Sequence, residues 1–473
     1  MSSEAKPKPK SEFNVVKLAI VGAVSLAIGL IPPPEGIEAV GMHFIAGFIF
    51  MVGAMLTGAA PMWGATNLTG VIMVLTKTIP LSVVYGAWSG STIWMVIGVI
   101  SMAGILTKTG VMKRVAYAVM SIFPPTYTGQ VLALTTTSVV LSPIIPSSSA
   151  KIAIVTPLAA ALGKEIGLEP HSKGLVGLWF IVMMNAFVLA HTFLTGSNIT
   201  FMMLGMMPAE VAGPMSDWMT WFSATWVWGI VIIVGSVFAT LLTCKPKEAV
   251  SMTKSYIQEK IAELGPWSKN EKIGITTLGF CVVMWLTAGI HKIDATSVTW
   301  VGVFVLAIAG MITTRETALD FPWAMIFMFA PMMGMVDYMR PAGVTDFLAG
   351  VLGPVIAPLI PNAFVFVIVE IVIIMVLRLF LDQISILAIA VAVLFPIAAV
   401  VGVSPWVVMF LTWANAQIWI LPHNNLLTIQ MAGMMGGTLE FKDMQPMTWW
   451  YMIITAIGSL ASVPLWIGLG LIQ

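Results

Sequence analysis

The residues of this chain that could do chemistry fall in a few tight groups. Pro143 and Pro146 precede Ser147, Ser148, Ser149 and Lys151, and no Asp, Glu, Lys or Arg occurs from Val115 to Ala150. Proline lacks an N–H and cannot continue a helix. Serines just after a break cap the next helix, and the free amides of a helix N-terminus attract anions. Lys151 adds a full positive charge at that point. Hydroxyls, free amides and one ammonium together describe a site for a carboxylate or a phosphate. A plainer reading is a re-entrant turn with a lysine reaching toward the headgroups. A second group, Pro422, His423, Asn424 and Asn425, stands inside the charge-free stretch 383–439. Unpartnered in lipid, two amides and an imidazole would cost several kcal/mol, so they need partners. Thr195, Gly196, Ser197 and Asn198 form a similar polar break earlier in the chain. The last group is Glu370, Arg378, Asp382, Gln383 and Ser385. Arg378 and Asp382 are four apart, so on one helix they would be neighbours and form a possible charge pair. His191 is read as packing.

The elements that must hold these groups are membrane helices. Of the 473 residues 59% are hydrophobic and 9% charged, against about 25% charged in a soluble domain. A span needs about 20 mostly apolar residues. Charge-free windows that can hold one or more spans recur at 39–76, 78–107, 115–150, 175–209, 218–244, 273–291, 383–439 and 444–473. The expectation is an all-α polytopic membrane protein with about 11 transmembrane helices, since only helices satisfy the backbone this way in lipid. Residues 1–14 form a short basic, proline-rich tail, and Val15 to Ile31 is kept as the first span because no small-residue cleavage site follows it. Residues 245–272 carry six lysines and four glutamates and read as an amphipathic helix on the membrane face. Positive charge in the tail and linker puts both on the cytoplasmic side. A net charge of +1 implies no acidic or basic partner, nucleic acid included, and Cys244 and Cys281 have no metal or redox spacing. The residues imply no metal and no cofactor.

The linker divides the chain into segments 15–244 and 273–473, and the two resemble each other. TGSNITFMMLGMM at 195–207 has a counterpart in PHNNLLTIQMAGMM at 422–435. MAGILTKTGVMKRVAYAV at 102–119 resembles MGMVDYMRPAGVTDFLAG at 333–350, and AKIAIVTPLAAALG at 150–163 resembles AIAVAVLFPIAAVVG at 388–402. The matches fall in the same order. Duplicated halves of opposite topology put a binding site at the midplane where broken helices meet.

At these residues the chain resembles the divalent anion/sodium symporters, the dicarboxylate transporters of the succinate, citrate and 2-oxoglutarate group. That family carries Ser-Asn-Thr at the tip of each of two re-entrant hairpins, followed some ten residues later by proline. Here Ser147-Ser148-Ser149 stands at that place and Pro157 follows. The likeness is nearest to the citrate/succinate antiporter and plastid 2-oxoglutarate/malate branch, whose motif reads Pro-Ser-Asn-Thr-Ala-Arg. This chain has Pro146-Ser147-Ser148-Ser149-Ala150-Lys151, and Leu421-Pro422-His423 resembles that branch's Leu-Thr-His. The second motif departs further: aligned on Asp382 it becomes Ser385-Ile386-Leu387. Ile386 and Leu387 offer no side-chain oxygen to a sodium ion, and Lys151 and His423 could supply positive charge instead.

The resemblance implies hairpins near 131–150 and 362–387, a homodimer, and an elevator mechanism in the cell membrane with the N-terminus cytoplasmic. The expected function is sodium-independent exchange of di- or tricarboxylates. The expected substrate-binding residues are Ser147, Ser148, Ser149, Lys151, Thr195, Gly196, Ser197, Asn198, Ser385, His423, Asn424 and Asn425. A sodium-coupled symporter is one alternative, with backbone carbonyls as ligands. An intramembrane hydrolase using His191, His423 and Asp382 is another, although a protonated Lys151 beside the serines makes a poor nucleophile pair.

Overall fold

The computed structural model describes residues 11–145, 147–247, 255–314, 323–356, 360 and 362–473. Pro146 of the first break lies outside them, as do residues 1–10 of the tail and 248–254 of the linker. The chain is all-helical, and among the described residues five helices are long and apolar enough to cross a membrane. Shorter apolar helices, Val15–Gly29, Met62–Leu75, Ala295–Ile308 and Ala363–Leu377 among them, supplement these.

Ten helices carry the polar breaks, and they come as one set of five used twice. The first set is α1 (Tyr127–Leu141), α2 (Ser148–Glu165), α3 (Lys173–Val182), α4 (Asn198–Gly205) and α5 (Trp218–Thr243). The second is α6 (Ala363–Leu377), α7 (Gln383–Ile389), α8 (Pro405–Asn415), α9 (Leu426–Met434) and α10 (Met447–Gly468). The first four helices of each set start on a side-chain cap; α5 also has one, Asp217, while α10 follows Pro446 without one. Thr126 caps α1 by accepting the Gly129 N–H, and Asn362 caps α6 by accepting the Val365 N–H. Both helices are 15 residues long. Each side-chain cap satisfies one of the amides that a helix start leaves unpaired.

The packing repeats as well. α1 lies on α3 and α5, and α6 lies on α8 and α10. α3 and α8 form the centre: every residue from Gly174 to Val182 is buried, and so is every residue from Trp406 to Asn415. Asn185 sits just beyond α3 and Asn415 at the end of α8. Asn185 Nδ2 donates to the Ile181 carbonyl and to Ser236 Oγ on α5, at 3.1 and 3.0 Å. Asn415 Nδ2 donates to the Leu411 carbonyl and to Ser459 Oγ on α10, at 2.9 and 3.3 Å. Neither amide signalled itself in the sequence, because one Asn in an apolar helix reads as packing. α5 and α10 pack along their length: Ala224 meets Trp466, Trp228 meets Gly458 and Gly235 meets Ile454, an antiparallel order. Seven tryptophans are fully buried in this core, among them Trp179, Trp221, Trp413 and Trp466.

Several of the remaining helices pack on one another as a second group. Val15–Gly29 packs on Ala39–Leu56, Ala39–Leu56 on Met62–Leu75, and Met62–Leu75 on Trp323–Tyr338. Ser91–Lys108 packs on Ala295–Ile308, which packs on Lys269–Leu286. Ala39–Leu56 touches α7, and Trp323–Tyr338 touches α4. A short helix, Ser255–Glu263, lies in the linker, and a capping box at Ser268 and Glu271 opens the helix that follows. Arg114 holds this linker. It donates to Glu271 Oε1 at 3.0 Å and to the Gly265 carbonyl at 2.9 Å, and stacks over Trp267. The bond from Arg114 holds the Glu271 carboxyl below its usual range, with the amide of Ser268 adding to the effect.

Candidate functional site

α1 stops at Leu141 because Pro143 follows and cannot supply the next amide. Ser147 restarts the chain as the cap of α2, accepting the Ala150 N–H at 3.2 Å. This turn delivers Ser148 and Lys151 to the interior: Ser148 is buried and Lys151 is fully buried, while Ser149 faces out. Lys151 Nζ donates to the Gly196 carbonyl at 2.6 Å, and Ser148 Oγ lies 3.4 Å from Ser197 Oγ. Thr195 Oγ1 donates to the Pro143 carbonyl at 2.6 Å and accepts from Trp218 Nε1 at 3.2 Å. The structure therefore brings together Ser147, Ser148, Lys151, Thr195, Gly196 and Ser197 at one junction. Asn198, half-buried, begins α4, which Ser197 caps by accepting the Ile199 N–H at 3.2 Å.

At Gly196 two other segments of backbone approach closely. A Cβ there would stand 2.0 Å from the Ala190 carbonyl oxygen and 3.1 Å from that of Ser142. Both neighbours are backbone, so neither can swing aside.

The second junction repeats the plan with a different cation. α6 stops at Leu377, and Asp382 caps α7 by accepting the N–H groups of Ile384 and Ser385 at 2.9 and 3.0 Å. Ser385 Oγ also donates to the Asp382 carboxylate. Arg378 is fully buried. It donates to the carbonyls of Ala416 and Leu381, each at 2.5 Å, and to that of Asn424. Asn424 returns a bond from Nδ2 to the Arg378 carbonyl at 2.7 Å and fixes the Leu421 amide at 2.8 Å. Asn425 caps α9 through the Leu427 N–H, at 3.2 Å, and donates to the Gln417 carbonyl at 3.3 Å.

Two sequence expectations change at this junction. Arg378 and Asp382 are not neighbours on a helix face and make no ion pair, because the helix ends between them. Arg378 spends its donors on backbone carbonyls and Asp382 its acceptors on amides and Ser385. His423 is exposed, its Nε2 3.4 Å from the Leu379 carbonyl, so it stands at the rim of the junction, outside its buried part.

The junctions belong to one assembly, since α9 packs against α2. His191 ties the halves a second time. Its Nδ1 lies 2.8 Å from the Val188 carbonyl, its Nε2 takes the indole N–H of Trp413, and its own carbonyl accepts from Trp221 at 2.9 Å. That pattern is a neutral imidazole, donor at Nδ1 and acceptor at Nε2. With both nitrogens engaged, it has none left for acid–base work.

What the arrangement can do is bind an anion. Two helix breaks each hold a buried cation, capped helix starts and small polar side chains within the membrane-spanning part of the chain. Intramembrane ionisable residues of this kind mark substrate pathways. The YdaH transporter of Alcanivorax borkumensis superposes with a TM-score of 0.55 at 13% identity, over 96% of this chain and 98% of that one, which is a likeness of fold. A Bacillus subtilis (strain 168) protein named for malate transport, YflS, is 25% identical over 357 residues, 74% of each chain. The chloroplastic dicarboxylate transporter 1 of Spinacia oleracea is 27% identical over 72% of this chain and 61% of its own length. The family described as the sodium:sulfate symporter transmembrane region matches residues 12–469, so this chain belongs to that family of divalent-anion symporters and is a membrane transporter, not an enzyme.

Proposed function

We propose that this chain exchanges di- or tricarboxylates across the cell membrane by sodium-independent antiport. The observation that carries the reading is Lys151, whose amine is fully buried in the first turn of α2 beside Ser148 and Ser197, where a bound anion would supply the counter-charge that favours its ammonium form. A cation at a helix N-terminus favours an anion twice, through its charge and through the macrodipole. Arg378 gives the second junction the same character, and a two-headed acid suits a site with two such ends. The names of the relatives, for malate and for dicarboxylates, support a carboxylate substrate.

Sodium independence is supported by the partners of the two cations. Lys151 takes the Gly196 carbonyl, and Arg378 takes those of Ala416, Leu381 and Asn424. Those are the oxygens a sodium ion at a helix break would need, and Ile386 and Leu387 supply none. The transport cycle we infer is an elevator. The helix pairs α1–α2 and α6–α7 act as re-entrant hairpins of two inverted repeats, in a fold of about 11 crossings. The twice-used set of helices and the antiparallel α5 and α10 support the inversion. The α1–α10 body moves against the second helix group, the functional unit is a homodimer, and the N-terminus is cytoplasmic.

Counterflow in proteoliposomes tests this. Vesicles loaded with unlabelled dicarboxylate should accumulate labelled dicarboxylate equally in sodium and choline buffers. Uptake of sulfate alone, with a strict sodium requirement, refutes the reading.

A further inference from the structure

Glu370 stands apart from the cations and caps of both junctions. It lies in the middle of α6 and its side chain is buried, with 2% of the residue exposed. Oε1 accepts from Thr412 Oγ1 on α8 at 3.1 Å, and Oε2 has no hydrogen-bond partner among the described residues.

Among the described residues no cation pairs with it. α6 packs on α8 and α10. Neither α6, apart from Glu370, nor α8 nor α10 contains an Asp, Glu, Lys, Arg or His, and the one other titratable side chain on them is Tyr451 of α10. The Tyr451 hydroxyl donates to the Ala414 carbonyl at 2.6 Å and accepts the Gln417 amide at 2.8 Å. Arg378, past the end of α6, gives its donors to carbonyls, and Asp382 caps α7. A buried carboxylate without a counter-charge escapes its desolvation cost by taking a proton.

The carboxyl also breaks the repeat. Glu370 is the eighth residue of α6, and the eighth of α1 is Leu134, fully buried. Thr412 stands three residues before Asn415, and Val182, also fully buried, stands three before Asn185. The second half has thus replaced two apolar core positions by a carboxyl and a hydroxyl that meet. Architecture alone does not call for them, because the first half packs without them.

Polar groups continue from the second junction along α8 toward this pair. Asn425 donates to the Gln417 carbonyl, and Gln417 Nε2 donates to the Trp413 carbonyl at 3.1 Å. Asn415 and Thr412 follow one turn apart on α8. Gln417 Oε1, Asn415 Oδ1 and Glu370 Oε2 are all buried acceptors without a donor among the described residues.

We propose that Glu370 is a proton-binding site, loaded through the second junction, that makes exchange respond to a pH difference across the membrane. The ligand is the proton itself, taken from water at the junction onto a carboxylate oxygen. The proposal rests on the transporter reading above, and the experiment separates the two. The full-length protein in liposomes is measured in two ways. Infrared difference spectra between acid and alkaline buffer should contain, beside the signals of the other carboxyls, a protonated-carboxyl component that shifts in D2O and is absent from the spectra of Glu370→Gln. Dicarboxylate counterflow with a pH gradient, divided by counterflow at matched pH, should change at least threefold in the wild type and be close to one in Glu370→Gln. The proposal is overturned by a wild-type ratio of one, by a variant that keeps the wild-type ratio, or by identical infrared spectra. If the wild type exchanges no carboxylate at any pH, the transport reading fails by itself, and the infrared spectra still decide whether Glu370 takes the proton.

Discussion

Replacing Lys151 by methionine separates its charge from its bulk. The methionine keeps an unbranched stem in the space between α2 and the Gly196 segment but cannot donate. The lost bond is short, charge-assisted and fully shielded from water: Nζ to the Gly196 carbonyl, 2.6 Å, at a residue with 0% exposure. Hydrogen bonds to charged groups contribute about 1.5–3 kcal/mol net. At about 1.4 kcal/mol per factor of ten, that is roughly a ten- to hundredfold change in any equilibrium that depends on the bond. The anion loses its attraction to the ammonium as well, so the expected fall in dicarboxylate counterflow is at least tenfold. Lys151→Arg should retain part of the activity, because the charge stays. Lys164→Met, at the exposed far end of α2, should change nothing. Initial rates with labelled dicarboxylate, on protein checked by gel filtration and thermal melting, give the answer. Counterflow by Lys151→Met within twofold of the wild type, at unchanged melting temperature, refutes the assignment of Lys151 to the site.

Three further outcomes are expected. Uptake into dicarboxylate-loaded vesicles should proceed at equal rates in sodium and choline, and a sodium requirement above twofold counts against carbonyls occupied by Lys151 and Arg378. Gly196→Ala should eliminate counterflow even though the protein inserts, because its Cβ would meet the Ala190 carbonyl oxygen at 2.0 Å; a normal rate would show that this segment relaxes freely. Glu271 has its carboxyl pKa lowered by Arg114, so the clamp stabilises the linker fully above the unfolded carboxylate value of about 4.3 and loses that contribution as pH falls through the lower folded value. The protection of amides in 255–272, relative to their intrinsic exchange rate at each pH, should therefore fall on acidification below that range in the wild type and be low at neutral pH in Arg114→Ala, and equal protection in the two proteins at neutral pH removes the clamp.

The breaks were legible where the sequence interrupts an apolar run with residues that cannot stay in a helix. Pro143, the serines and Lys151 announce the first junction, and Pro422 with two asparagines announces one side of the second. The other side left little trace. Leu377 to Asp382 contains no proline and no glycine, so Arg378 and Asp382 read as neighbours on a continuous helix. The one usable sign was Asp382, an N-cap residue followed by Gln383. His423 was expected in the interior with its amide neighbours. Charge-free sequence does not distinguish a buried turn from its rim, and three consecutive residues of a turn cannot all point inward. Asn185 and Asn415 lie at different distances from the caps Ser197 and Asn425, so no gap-free alignment pairs them, and their equivalence shows only in their matching bonds to Ser236 and Ser459. Glu370 reads as polar in the sequence, but its isolation depends on which helices surround it, and that is a tertiary fact.

The antiparallel pair α5 and α10 has a mechanical consequence. α5 is 26 residues long, which at about 1.5 Å per residue is roughly 39 Å, against a hydrocarbon thickness of about 30 Å. It must lean to stay immersed, and because it is packed to α10 from Ala224–Trp466 to Gly235–Ile454, the two lean as one strut. That strut holds both breaks, through Ser236 to Asn185 and through Ser459 to Asn415. A change in bilayer thickness that tilts one helix of the pair should therefore tilt both, and the change would reach Asn185 and Asn415 together.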